Sequence, residues 1–176
     1  MITTDHVSQV LGQWHAPDAG QADLREAYLH FLTEHSDGIW RSCAIGHVTA
    51  SALVMNQARD QVLLTLHPKV GRWLQLGGHI ESTDPDLQQA ARREVVEECG
   101  IEPIWMSQEP LRLDRHPVPC AGRMSEHLDV QYLALVPGGA QPVLSDESLD
   151  LAWFAIGDLP PDLDGSVRAL ITSSHT

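Results

Sequence analysis

The sequence predicts an α+β domain in which helices are layered on a mixed β-sheet. Three observations lead there. Short alternating segments cluster in the middle and later parts of the chain, one well-delimited helix interrupts them, and amphipathic stretches stand near both ends.

Residues 21–35, QADLREAYLHFLTEH, predict the first helix, because Leu24, Ala27, Tyr28, Phe31 and Leu32 recur at helical spacing and Asp37-Gly38 ends the pattern. Residues 47–67 read as two strands around a turn near Asn56–Asp60. Residues 73–81, WLQLGGHIE, alternate briefly and reach a glycine pair. Residues 85–99 form the clearest helix: Asp84 is the expected N-cap, Pro85 suits the first helical position, and Gly100 stands where a C-terminal glycine belongs. Residues 127–136 read as a partly buried strand ended by Pro137-Gly138-Gly139, residues 151–156 as another, and residues 163–172 as a last helix. The HPVP run at 116–119 reads as a loop.

Composition narrows the function. With 176 residues, 43% hydrophobic and 20% charged, the chain is long enough to build one sizeable core. Its formal net charge of −13 argues against a nucleic-acid partner, whose backbone needs a positive surface. A phosphorylated substrate therefore requires a cation or a few placed Arg and Lys residues. Cys43, Cys99 and Cys120 are odd in number and scattered, which predicts reduced thiols rather than a disulfide framework. The first residues lack an apolar core of signal length, and no stretch is apolar enough for a membrane span. A cytoplasmic protein is expected.

The helix at 85–99 carries the chemistry. Glu94, Glu97 and Glu98 stand at i, i+3 and i+4, on one arc of about 100°. Like charges so spaced cost a helix about 0.2–0.5 kcal/mol per pair, and the C-terminal end of the macrodipole adds to the cost. A hard divalent cation such as Mg²⁺ reverses both effects. Arg93, one turn before Glu97 and next to Glu94, is placed to orient a carboxylate.

The segment GGHIESTDPDLQQAARREVVEECGI, from Gly77 to Ile101, resembles the signature of the Nudix hydrolase family. Gly78, Arg93, Glu94, Val95, Glu97, Glu98, Gly100 and Ile101 match it. Asp84 stands where the family has its first Glu, and one extra residue lies between it and Arg93. Weaker similarity extends over roughly residues 43–165. The resemblance implies a Nudix-like αβα sandwich with a mixed central sheet. It divides the chain into an N-terminal helical extension, residues 1–42, and a Nudix domain, residues 43–176.

It also implies an activity: metal-dependent hydrolysis of a diphosphate bond in a nucleoside diphosphate linked to another moiety. Pro117, sixteen residues past Ile101, resembles the subgroup that cleaves ADP-ribose. Mg²⁺, with Mn²⁺ as a substitute, would be held by Glu94, Glu97, Glu98 and the main-chain carbonyl of Gly78, with Arg93 as their structural partner. The general base implied by the family is either a glutamate of the signature or an acidic residue on a later loop; Glu147, in a loop before a strand, is the candidate for the later one, with Glu126 and Asp129 as rivals. Arg72, Lys69, His79 and Arg115 are candidates for substrate binding. A homodimer is expected from the family. The alternative is a catalytically silent nucleotide-binding or regulatory module on the same fold.

Overall fold

A computed structural model describes residues 1–120, 123–145 and 148–175. Two helices come first, α1 (Thr4–Gln13) and α2 (Ala19–Glu34). Four strands follow: β1 (Gly46–Asn56), β2 (Gln61–Leu66), β3 (Trp73–Leu74) and β4 (Leu76–His79). Helix α3 (Leu87–Cys99) separates them from β5 (Trp105–Met106), β6 (Arg112–Cys120), β7 (Arg123–Val136) and β8 (Asp150–Ala155), and α4 (Gly165–Ser173) ends the order.

The strands form one mixed sheet. Its axis is the parallel pair β1–β7, in register from Gly46↔Glu126 to Asn56↔Val136. On the other side of β1, β4 pairs with its first half and β2 with its end, both antiparallel. On the far side of β7 lie β6 and β5. Every residue of β1 is buried, as expected of a strand covered on both faces.

Alternation along β1 sorts the core. Val48, Ala50, Ala52 and Val54 face the cluster that contains Leu87, Ala90, Ala91 and Val95 of α3. Leu53 and Met55 face the opposite way, onto Val167, Leu170 and Ile171 of α4. Helices therefore cover both faces, as the predicted α+β sandwich requires.

The N-terminal helices belong to the first cluster. Val7, Leu11, Trp14, Tyr28, Phe31 and Leu32 are buried in it. Tyr28 Oη donates to the carbonyls of Asp114 (2.6 Å) and Asp129 (3.3 Å), and the Gln21 side chain both donates to and accepts from the backbone of Leu113. The sequence reading omitted α1, although Val7, Val10, Leu11 and Trp14 carry its helical spacing and Thr3 caps it. It also omitted β5.

Two expectations need correction. The HPVP run is not a loop but part of β6, with Pro117 opposite Glu126 and Pro119 opposite Met124. Two prolines suggest a break, yet among the described residues β6 pairs with β7 alone, and an edge strand tolerates residues that lack an N–H. The N-cap of α3 is Asp86, whose side chain accepts from Gln89 N at 2.8 Å, and not Asp84. Pro85 accordingly precedes the helix. Asp84 is drawn away by an arginine, a charged partner stronger than a backbone amide. The C-cap is Gly100, at φ 65° in the left-handed region, as expected.

Candidate functional site

Helix α3 presents two of its glutamates to the protein rather than to water. Leu87, Ala90, Ala91, Val95 and Cys99 form its buried face, and Glu94 and Glu98 are buried with them, whereas Glu97 is exposed. The i,i+4 spacing stacks the two buried carboxylates one turn apart.

What they meet is the backbone of β4. A Cβ added to Gly78 would lie 2.6 Å from Glu94 Oε2, so only glycine lets this strand approach the carboxylate so closely. Gly77 has φ +155°, and a Cβ there would lie 2.3 Å from Cβ of Ser51 on β1. Its amide donates to Glu98 Oε1 at 3.2 Å. The two glycines thus let strand, helix carboxylates and β1 meet without side chains between them.

Arg93 organises the rest. Nε and Nη2 donate to the two oxygens of Asp84, each at 2.9 Å. Nη1 donates to Glu94 (3.0 Å) and Glu97 (2.9 Å), and Nη2 also to the carbonyl of His79 (2.9 Å). These bonds match the five N–H donors of a guanidinium. Asp84 is buried and also accepts from Glu81 N at 2.8 Å. Burial raises its carboxyl pKa, but the Arg93 bonds outweigh that and hold it below the usual range. The Arg93 pKa rises well above its ordinary value, through Asp84 first and Glu94 next. Asp84, Glu94 and Glu97 thus share one guanidinium, while Glu98 accepts from the Gly77 amide.

The other candidates are dispersed. Arg72 donates to Asp164, the N-cap of α4, at 3.1 Å. Arg115 pairs with Glu126 across β6 and β7. Lys69 is exposed in the loop after β2. His79 follows Gly78, so its side chain turns to the sheet face opposite α3. There it meets His47 and His127, with ring centroids 5.1 and 5.4 Å away. Asp129 is buried on that face and accepts from Thr49, Ser51, Gln75 and Gln131. Glu147 lies outside the described residues. His127, Asp129 and Gln131 alternate along β7 and so share this face, while His47, which the sequence does not single out, joins them from β1. No local signal announces the parallel pairing that brings His47 beside His127.

Fold and site together define a domain built on a mixed sheet, with an acidic helix set against a glycine strand. The family model described as NUDIX domain matches residues 46–172, and the chain belongs to that family. Similar solved structures include a NUDIX-family hydrolase from Clostridium perfringens (24% identity, TM-score 0.58, covering 73% of this chain and 94% of that one). The NUDIX domain of Shewanella oneidensis NrtR, complexed with ADP ribose, matches at 21% identity and TM-score 0.59, covering 83% and 95%. The Escherichia coli dihydroneopterin triphosphate pyrophosphohydrolase matches at 20% and 0.58, covering 70% and 91%. No curated protein matches the chain in sequence. Among the described residues, no helix is long and apolar enough to cross a membrane.

Proposed function

We propose that this chain is a Mg²⁺-dependent hydrolase that cleaves a diphosphate bond in a nucleoside diphosphate linked to another moiety, with ADP-ribose-like compounds as the first class to test. One observation carries the reading: Glu94 and Glu98 are buried against Gly77-Gly78 while Arg93 holds Glu94 and Glu97. A solvated acidic face would leave all three glutamates exposed. Burying carboxylates is costly unless they are paired or meet a cation.

The residues fit a hard cation. Glu94, Glu97, Glu98 and the Gly78 carbonyl offer oxygen donors, and the Gly78 backbone lies against Glu94 with no Cβ between. Mn²⁺ would accept the same set. The bound ion would polarise a phosphoryl oxygen and offset charge in the transition state. The protein supplies position and electrostatics. Arg93 orients Glu94 and Glu97, and Asp84 anchors Arg93. On the sequence argument alone, we assign the general base to Glu147, which would take a proton from the attacking water. Arg72, Lys69, His79 and Arg115 are proposed to contact the substrate. Arg72 and Arg115 must then be shared with their carboxylate partners or released from them.

We further assign residues 43–176 as the Nudix domain, residues 1–42 as an extension packed on its core, and a homodimer as the assembly. We also assign the chain to the cytoplasm, on the odd number and scattered spacing of its cysteines; Cys43 and Cys99 are free and buried.

The test is a panel of nucleoside diphosphate derivatives incubated with the purified protein and Mg²⁺ or Mn²⁺, with product analysis. Release of two phosphorylated fragments, abolished by EDTA, is expected. Tight nucleotide binding without cleavage would instead favour the silent module, a reading that the ADP-ribose complex of the NrtR domain keeps in view.

A further inference from the structure

Three histidines converge on the sheet face turned away from α3. The parallel register sets His47 of β1 beside His127 of β7, and the antiparallel register sets His79 of β4 beside Thr49, two residues along β1. Ring centroids lie 4.8 Å apart for His47–His127, 5.1 Å for His47–His79 and 5.4 Å for His79–His127. One nitrogen from each ring lies within 4.8 Å of the other two. His47 is only 1% exposed.

These rings are under-satisfied. Both nitrogens of His47, Nε2 of His79 and Nε2 of His127 are buried and make no hydrogen bond among the described residues. A buried polar atom without a partner is costly, so a cluster of them calls for a ligand. The neighbouring polar residues do not supply one. Asp129 shares the face, but its two oxygens already accept from Thr49, Ser51, Gln75 and Gln131. His116, 5.6 Å from His127 by ring centroid, is bonded to Asp114 at 2.7 Å.

We propose that His47, His79 and His127 form a binding site for one divalent transition-metal ion of the zinc class, distinct from the carboxylate site on the other side of the sheet. Three nitrogen donors suit such an ion and do not suit Mg²⁺, which demands oxygen. Tetrahedral coordination at about 2.0–2.1 Å sets ligand nitrogens about 3.4 Å apart. The three ligand nitrogens lie within 4.8 Å of one another, so an ion would draw them together by at most about 1.4 Å. One ion would engage a nitrogen of each ring and leave a fourth position for water or a substrate atom, the arrangement of open three-histidine sites. The neutral imidazole is the form that binds metal. An ion here would tie β1, β4 and β7 together one residue from Gly78.

The test uses the full chain, stripped with chelator and then dialysed against Zn²⁺ in excess Mg²⁺. The expected result is one Zn²⁺ retained per chain, and visible bands of four-coordinate character when Co²⁺ replaces it. The His127→Asn and His79→Asn, His127→Asn variants should lose that equivalent while keeping the wild-type circular dichroism spectrum. A Glu97→Gln, Glu98→Gln variant should retain it, which separates this site from the proposed catalytic one. Absence of stoichiometric binding overturns the proposal. So does undiminished binding in the histidine variants, or loss confined to the glutamate variant. Should the double histidine variant fail to fold, ¹⁵N imidazole shifts of the wild type decide: perturbation of His47, His79 and His127 supports the site, and perturbation of other histidines alone overturns it.

Discussion

Arg93 grips Asp84 through two parallel hydrogen bonds, each 2.9 Å long, linking the entrance of α3 to its acidic turn. The pair is largely out of water, with 20% of the Arg93 side chain and 4% of the Asp84 side chain exposed. Asp84→Asn keeps the volume and removes the charge. Breaking a buried pair on one side costs about 3 kcal/mol. Urea denaturation should show a loss of that order. A loss below about 1 kcal/mol would mean that Glu94, Glu97 and the His79 carbonyl suffice to hold the guanidinium.

The two glycines of β4 should respond unequally. A methyl group at Gly78 meets the Glu94 carboxylate, which has some freedom to shift, at 2.6 Å. One at Gly77 meets Ser51 Cα at 2.4 Å and the Ala50 carbonyl at 2.7 Å, both backbone atoms, and φ +155° adds strain. Gly78→Ala should cost about 1–3 kcal/mol, and Gly77→Ala more. Thermal unfolding of the two variants side by side checks the order.

Glu98→Gln isolates charge from structure. The Gln Oε1 can still accept from Gly77 N, so the fold should survive. Under the proposed function, diphosphate hydrolysis should fall at least about a hundredfold, as expected when a charge-stabilising group is removed. Steady-state kinetics on the best substrate of the panel is the measurement, and wild-type turnover would sink the assignment of Glu98.

Asp164 predicts a pH dependence away from the site. It caps α4 by accepting from Ser166 N at 2.9 Å and pairs with Arg72. Burial raises its pKa, but the Ser166 and Arg72 bonds outweigh it and leave the carboxyl below its usual value. A carboxyl lowered by folding contributes stability above its unfolded pKa and loses it as pH falls through the folded value. Asp164→Ala should cost about 1 kcal/mol at neutral pH. That deficit should shrink as the pH drops below about 4. Denaturation at several pH values gives the curve.

Tyr28→Phe tests how firmly the N-terminal helices are tied to the sheet. The change leaves the carbonyls of Asp114 and Asp129 without their hydroxyl donor, at a cost of about 1–2 kcal/mol. Hydrogen exchange should quicken in α2 and along β6. An unchanged exchange pattern would show that apolar packing alone secures the extension.

Much of the architecture was legible because it rests on local patterns. The periodicity of α2, α3 and α4 reflects one face against the core, and the apolar runs of β1, β2 and β7 reflect burial on both faces, relations that residues a few positions apart express by themselves. Strand β6 was not legible. Its two prolines speak for a loop, and only an edge position next to β7 makes them acceptable. The cap of α3 failed for a similar reason, since Asp84 and Asp86 are equivalent locally and a distant Arg93 decides between them.

The sequence by itself determined the carboxylate helix, its spacing and the glycine pair that precedes it, because helix geometry converts i, i+3 and i+4 into one stripe without help from the rest of the chain. Only the tertiary structure decided that Glu94 and Glu98 are buried while Glu97 is exposed, that Asp84 serves Arg93, and that His47, His79 and His127 share one face. Those relations depend on strand register and on which side of the sheet a helix covers. Both are settled by contacts between residues far apart in the chain, and no local pattern encodes them.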